Sequence, residues 1–317
     1  MESFGRLRAN RGTIMKVHVA IAQFAPEVLS LSGCIGTACK LIEQAGRRKI
    51  KLLAFPETWI PVYPVWADMG TFSRWGNDDS KKLYARLHRN SLAINSEEFR
   101  KLASSCRKAK LHLVIGVNER KGGSIYNSLL FINNKGELIG HHRKLVPTFG
   151  ERLVWAYGDG AGLRAHETPF GKIGGLICWE HWMPLARHVL HSEGEIIHIA
   201  AWPHGKEHHQ IASRHYAFEG RCFVLAAAMY LKKEMFPKGY ELSDELTSQP
   251  DVLLNGGSAI IAPDGTYVVE PVFGREEFVA TEIETERTIE ESITLDVGGH
   301  YSRPDVFDVT VNRGTRL

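Results

Sequence analysis

No run of the 317 residues approaches the about 18 consecutive apolar side chains that a membrane-spanning helix requires, so no spanning helix is expected. Cysteine is scarce and odd in number. Cys34, Cys39, Cys106, Cys178 and Cys222 include no CxxC pair, which argues against a disulfide framework and for a reducing cytoplasm. Neither GxxxxGK(S/T) nor a strand-linked GxGxxG is present, so nucleotide cofactors are not implied. Lys plus Arg (39) barely exceed Asp plus Glu (36), leaving a formal charge of +3. With no dense basic block interleaved with aromatics, nucleic acid is not an expected partner. The basic N-terminal residues Arg6, Arg8, Arg11 and Lys16 precede a short apolar run, Val17 to Phe24, that contains His18 and Gln23. That run reads as a buried strand rather than a secretory leader. His204, Glu207, His208 and His209 form neither HExxH nor a paired-cysteine pattern, and they read as ordinary surface or interface residues, so no metal is expected.

What is present is an ordinary globular composition, 44% hydrophobic and 24% charged, enough for a sizeable core in one or two domains. Residues 1–15 are polar and basic without periodicity and read as a loose tail. A strand is expected at 16–24, a helix over 32–47 from the spacing of Ile35, Ala38, Cys39, Leu41 and Ile42, and a second strand at 51–55. Strand, helix, strand at this spacing is a βαβ unit with parallel strands and a right-handed crossover. A helix at 96–109 and strands at 111–117, 125–132 and 137–142 follow, the last two joined by the hairpin signal Asn133-Asn134-Lys135-Gly136. The βαβ plan returns with strands at 172–178, 195–201 and 222–228 and helices at 183–191 and 207–220. The segment 231–256 reads as a polar surface insertion, 257–283 as two or three strands with a turn at Asp264-Gly265, and 284–317 as an extended tail. Alternation of helices and strands favours an α/β architecture with buried sheets covered by helices.

Three of these strands run into polar residues that a buried strand would not otherwise carry: Glu57 after Phe55-Pro56, Lys144 after Arg143, and Cys178 after Ile177. The carboxyl ends of strands are where α/β sheets present side chains to ligands. A thiol, an ammonium and a carboxylate gathered there have distinct tasks. Free cysteine titrates near about 8.5 and needs a nearby base, cation or helix N-terminus to act as a nucleophile. Glu57 can take the thiol proton and later activate water. Lys144 and the backbone N–H of Trp179 can stabilise negative charge on the attacked group. Taken singly, Glu57 and Lys144 read equally well as a surface ion pair, and Cys34, Cys39, Cys106 and Cys222 read as small buried hydrophobes.

Phe55-Pro56-Glu57-Thr58-Trp59, His142-Arg143-Lys144-Leu145-Val146-Pro147-Thr148 and Gly175-Leu176-Ile177-Cys178-Trp179-Glu180 resemble, in order, the three signature segments of the nitrilase superfamily. Glu151-Arg152-Leu153-Val154-Trp155 resembles the further glutamate segment of its true nitrilase branch. The likeness runs from about residue 16 to Asp305 and includes Gly299-His300-Tyr301-Ser302-Arg303-Pro304-Asp305. One departure is His181, which stands where the usual Cys-Trp-Glu-Asn has asparagine.

The resemblance implies a four-layer α-β-β-α sandwich that pairs into an eight-layer dimer or a larger spiral, with a catalytic domain over 16–283 and 284–317 as an intersubunit arm; 231–256 is a second expected contact segment. It implies Cys178 as nucleophile, Glu57 as general base, Lys144 as stabiliser of the tetrahedral species and Glu151 as a second acid that positions substrate or partners, with Glu180 structural. The implied substrate is a small nitrile, hydrolysed through a thioimidate and a thioester with water as the only co-reactant and no cofactor. The alternative is an amidase or carbamoylase using the same residues. Tyr63, Trp155, Trp179 and Trp202 are expected to wall an apolar substrate pocket, or else to serve as core or interface residues. A silent scaffold would have lost the nucleophile or base, and a papain-like protease would need a Cys–His pair in different surroundings.

Overall fold

Period-two alternation in VHVAIAQ sends Val17, Val19 and Ile21 to one face of a strand and Ala20 and Ala22 to the other, and both faces are buried. This strand, β1 (Lys16–Gln23), leads into α1 (Leu31–Arg47), whose first turn is capped by the Ser30 hydroxyl accepting the Gly33 N–H. The chain returns as β2 (Leu52–Ala54), parallel to β1 with Val19 opposite Leu52. Then come α2 (Asp78–Asn90), α3 (Glu97–Ala109), β3 (His112–Lys121), β4 (Ser124–Ile132) and β5 (Leu138–Arg143). The second half runs β6 (Ile173–Ile177), α4 (Pro184–Ser192), β7 (Ile197–Ala201), α5 (Glu207–Gly220), β8 (Phe223–Ala227), β9 (Tyr230–Lys232), α6 (Ser243–Thr247), β10 (Val252–Ile261), β11 (Tyr267–Phe273), β12 (Glu277–Glu284) and α7 (Arg287–Glu291). The computed structural model describes residues 15–314.

Two sheets result, ordered β12-β1-β2-β3-β4-β5 and β11-β10-β8-β7-β6, with β9 pairing β10. In the first, Ala20, Leu53, Leu113 and Ile115 pack outward against Ile35, Ile42 and Leu102 of α1 and α3. Val19, Ile21, Leu52, Val114 and Leu129 instead meet Ile199, Leu225 and Ile260 of the second sheet, whose outer face carries Val189, Ala212 and Tyr216 of α4 and α5. This is the α-β-β-α sandwich. Both βαβ units are present, as are the β4–β5 hairpin and the Asp264-Gly265 turn, where Gly136 and Gly265 both adopt φ of +79°.

Two expectations need correction, one helix was not expected, and one segment lies almost wholly outside the described residues. Helix α2 was not anticipated, because only Ser80, Leu83 and Leu87 of it are buried and its start rests on Asn77 accepting the Ser80 N–H. The segment 231–256 is no purely polar surface insertion. Leu231, Tyr240, Leu242, Leu246 and Leu254 are core residues, and β9 pairs with β10 there. The tail from 284 is not extended throughout, since α7 interrupts it; farther on, Val309 and Val311 pack on the inter-sheet core and Arg313 pairs with Glu193. Of the proposed loose N-terminal segment, residues 1–14 lie outside the described residues, and Met15 is tied through its N–H to Thr285 Oγ1 at 3.1 Å.

Candidate active site

The chain after β2 turns sharply, with Thr58 at φ 42°, and lies along β3, where the Ile60 N–H donates to the Gly116 carbonyl at 3.3 Å and the Asn118 N–H to the Ile60 carbonyl at 2.6 Å. Gly116 is what allows the approach: a Cβ there would stand 2.2 Å from the Pro56 oxygen and 2.5 Å from the Thr58 nitrogen. Glu57 sits in this turn, and its own N–H donates across to the Trp202 carbonyl beyond β7 at 3.3 Å, joining the two sheets. Gly116→Ala is expected to push Glu57 outward and lower kcat by about 100-fold, the effect of an ångström-scale misplacement. A refolded variant with unchanged steady-state kcat would count against that account.

Lys144 follows β5, its N–H bonded to the Asn127 carbonyl of β4 at 2.8 Å. Its neighbour Arg143 is anchored on buried Glu119, through Nε at 2.8 Å and through Nη2, and Glu119 also receives Ser128 Oγ at 2.6 Å. Glu151 enters from a 3-10 turn over Phe149–Leu153, where Phe149 has φ 42° and Glu151 Oε2 accepts the Thr148 N–H at 2.6 Å. Cys178 comes directly off β6 with φ 53°. Thr58, Phe149 and Cys178 are non-glycine residues in the left-handed region, each at or beside a site residue, where strain is held by surrounding structure. Glu180 ties the cysteine and lysine segments together, accepting the Ile177 N–H at 2.8 Å, the Leu145 N–H at 2.8 Å and His142 Nε2 at 3.0 Å. Burial would raise its carboxyl, but His142 and those two amides hold it below the usual range.

These segments converge. Lys144 Nζ donates to Glu57 Oε1 at 2.9 Å and to Glu151 Oε2 at 2.6 Å. Asn127 Nδ2 donates to the same Glu57 oxygen at 2.6 Å, and the Tyr63 hydroxyl donates to Glu151 Oε1 at 2.9 Å. Cys178 Sγ, one oxygen of Glu57 and one of Glu151 lie within 4.8 Å of one another. All four side chains are at most 4% exposed. Glu57 Oε2 is buried without a hydrogen-bond partner. Burial lifts the Glu57 carboxyl to about 7, against the pull of Lys144 and with a push from Glu151. Burial would lower the Lys144 ammonium, but the acidic groups around it, Glu57 and Glu151 among them, outweigh it and keep it charged. Burial, then Glu57, raises the Cys178 thiol well above its ordinary value, opposed by Lys144 and by the Trp179 N–H. The resting sulfur is therefore a thiol beside a base, not a free thiolate.

The family model for carbon-nitrogen hydrolases matches residues 18–290. The chain belongs to the carbon-nitrogen hydrolase family. Curated proteins named nitrilases are among those it is similar to. A protein named nitrilase 2, from an unknown prokaryotic organism, is 38% identical over 309 residues, covering 96% of this chain and 95% of its own. An aliphatic nitrilase of Sinorhizobium fredii is 35% identical, covering 94% and 96%, and nitrilase 1 of Arabidopsis thaliana 34%, covering 95% and 88%. Among solved structures, a Saccharomyces cerevisiae member of branch 10 of the nitrilase superfamily shares the fold, with TM-score 0.69, 20% identity, and coverage of 90% of this chain and 96% of its own.

In this carbon-nitrogen hydrolase the four aromatic residues expected at the pocket are placed differently from one another. Tyr63 and Trp155 stand beside the lysine, with the Trp155 ring 5.6 Å from Lys144 Nζ and its Nε1 donating to Asn118 Oδ1 at 2.7 Å. Trp179 is half exposed and packs on Trp182 at 5.1 Å. The Trp202 ring is buried against His181 and His209 and donates to Ser213 Oγ at 3.0 Å, while its carbonyl holds Glu57. Asn127, Gly116 and Glu119 were not singled out from the sequence. Asn127 gives the clearest signal, a lone amide inside the buried strand SIYNSLLFI. Among the described residues, two triads could geometrically take a cation, Glu57–Glu151–Cys178 and His191–Glu195–Cys222; in the first, Lys144 already stands between the carboxylates. His209 is buried rather than a surface residue, and His208 is exposed.

Proposed function

We propose that this chain hydrolyses a small nitrile to the carboxylic acid and ammonia with Cys178 as nucleophile. The thiol proton passes to Glu57 as sulfur adds to the nitrile carbon, and the nitrile nitrogen gains that proton to give a thioimidate. Water activated by Glu57 adds to the same carbon, ammonia leaves, and a thioester remains; a second water releases the acid and restores the thiol. Covalent catalysis divides one hard step into easier ones. Lys144, with one N–H beyond the two given to Glu57 and Glu151, steadies the charge that develops on nitrogen or oxygen. Glu151 fixes Lys144 and Tyr63 beside the substrate.

The observation carrying this reading is the meeting of the Cys178 sulfur with Glu57, whose second oxygen is unpartnered, beside a permanently charged Lys144. Similarity over nearly the full length to proteins named nitrilases supports a nitrile rather than an amide as the substrate. The test is ammonia release from aromatic, arylacetic and aliphatic nitriles beside the matching amides. Turnover of amides with nitriles untouched would reverse the choice. Tyr63, Trp155, Trp179 and Trp202 belong to the same proposal as the apolar surroundings of the substrate.

Residues 16–283 form the proposed catalytic unit, with 284–317 as its arm, working in a reducing cytoplasm, in keeping with five unpaired cysteines, four of them buried. Self-association through the outer helix layer is supported by Leu185 on α4 and by Ile211 and Phe218 on α5, all exposed. Replacing Leu185 and Ile211 together with Asp is expected to halve the mass seen by light scattering.

A further inference from the structure

Behind the nucleophile runs a buried polar chain that the reaction above does not use. His181 Nδ1 lies 2.7 Å from the Cys178 carbonyl oxygen, His181 Nε2 lies 3.0 Å from His198 Nε2, and His198 Nδ1 lies 3.0 Å from Glu195 Oε2. Both rings are fully buried, 0–2% exposed. The two ends of this chain, a carbonyl and a carboxylate, can only accept hydrogen bonds. Three contacts therefore need three protons, and two neutral imidazoles hold two. Any neutral arrangement sets one lone pair against another at about 3 Å between fully buried groups, a cost that buried polar groups rarely bear.

The missing proton does not belong on Glu195. Its Oε1 receives the Tyr216 hydroxyl and has His191 Nδ1 at 3.3 Å, and although burial works the other way, His198 and His191 hold the carboxyl down to about 2. Burial also disfavours charge on each ring, most strongly on His181. Against that stand three carboxylates around the pair: Glu195 in front of β7, Glu180 in the cysteine turn, and Glu219 of α5 behind His191. Two groups of α4 oppose charge on the pair: His191, which acts against charge on His198 and is itself paired with Glu195 and Glu219, and Arg187, whose Nη1 lies on the His181 carbonyl at 3.0 Å and whose Nε lies on Glu219 at 2.6 Å, so much of the charge of both is already answered.

We propose that the His181–His198 pair holds one proton more than two neutral rings, shared between the facing Nε2 atoms and balanced by Glu195, and that it acts as a positioning unit clamping the Cys178 carbonyl. The clamp keeps Cys178 in its left-handed turn and sets a positive charge one peptide behind the sulfur. This rests on Cys178 being the nucleophile only for its catalytic consequence.

NMR of labelled histidine ring nitrogens tests the proton count without reference to activity. These two rings should show a single unprotonated nitrogen between them near neutral pH, the His181 ring being assigned by the loss of its two nitrogen signals in His181→Asn; two unprotonated nitrogens overturn the proposal. Catalysis gives the second readout. Asn at 181 can still donate to the Cys178 carbonyl but cannot share a proton, so kcat should fall about fivefold, the worth of one ordinary hydrogen bond. Wild-type kcat is expected to fall at alkaline pH as the shared proton is lost, and that fall should be absent from the variant. An unchanged alkaline limb in His181→Asn would separate the pair from the nucleophile even if Cys178 proves essential.

Discussion

Cys178→Ala is expected to abolish ammonia release, with kcat down by about four orders of magnitude or more and residual turnover indistinguishable from the uncatalysed rate. The expectation follows from geometry rather than from the mere presence of a cysteine. Cys34, Cys106 and Cys222 are equally buried, but none lies beside the Glu57 and Glu151 oxygens that surround Cys178. Loss of one sulfur should cost about 1 kcal/mol of stability or less, because alanine inherits the same backbone turn and leaves only a small void. Denaturant titration can therefore separate a dead enzyme from an unfolded one. Turnover within tenfold of wild type by a folded Cys178→Ala protein would remove the sulfur from the mechanism.

Lys144→Met should lower both activity and stability. Among the described residues the ammonium is the sole cation bonded to Glu57 and Glu151, and removing it leaves two buried carboxyls facing each other. Stability at neutral pH is expected to drop by about 3–5 kcal/mol, the cost of breaking a buried ion pair from one side. Activity should fall about 10³-fold as the stabilising charge disappears. The pH dependence has a definite sign. Burial already raises Glu57 from 4.5 to about 7, and without Lys144 it must rise further. A carboxyl whose folded value exceeds its unfolded one binds more protons when folded, so its neutral form stabilises at low pH and that contribution is lost as pH rises from 4.5 through the folded value. The gap between Lys144→Met and wild type should thus narrow from about pH 8 to about pH 5, by chemical denaturation at each pH. A gap independent of pH would contradict the buried-carboxyl account.

Much of the frame was legible because local pattern and tertiary burial agree. The run VHVAIAQ and the helical spacing of Ile35, Ala38, Cys39, Leu41 and Ile42 predict β1 and α1, and both elements bury these apolar residues apart from Cys39, which is half-buried. Helix α2 escaped because DDSKKLYARLHRN keeps only Leu83 and Leu87 as buried apolar residues and takes its start from a cap, not from periodicity. The strand ends pointed to Glu57, Lys144 and Cys178, and the ordered segments added Glu151. Asn127 was hidden because its partner Glu57 is 70 residues away, and nothing local marks a side chain whose purpose is a distant carboxylate. Gly116 was hidden for a related reason: its role is to have no Cβ where another loop passes.

The pairing of β12 with β1, from Lys16 opposite Glu284 to Gln23 opposite Glu277, bears on how the molecule is made. On the ribosome β1 emerges before its partner, which follows about 250 residues later, a delay of about 10–50 s at ordinary elongation speed. Throughout that interval an apolar strand presents an open edge to whatever nascent chain lies nearby. Faster translation, or a holdase that covers residues 16–23, should therefore raise the yield of soluble enzyme without touching its final stability.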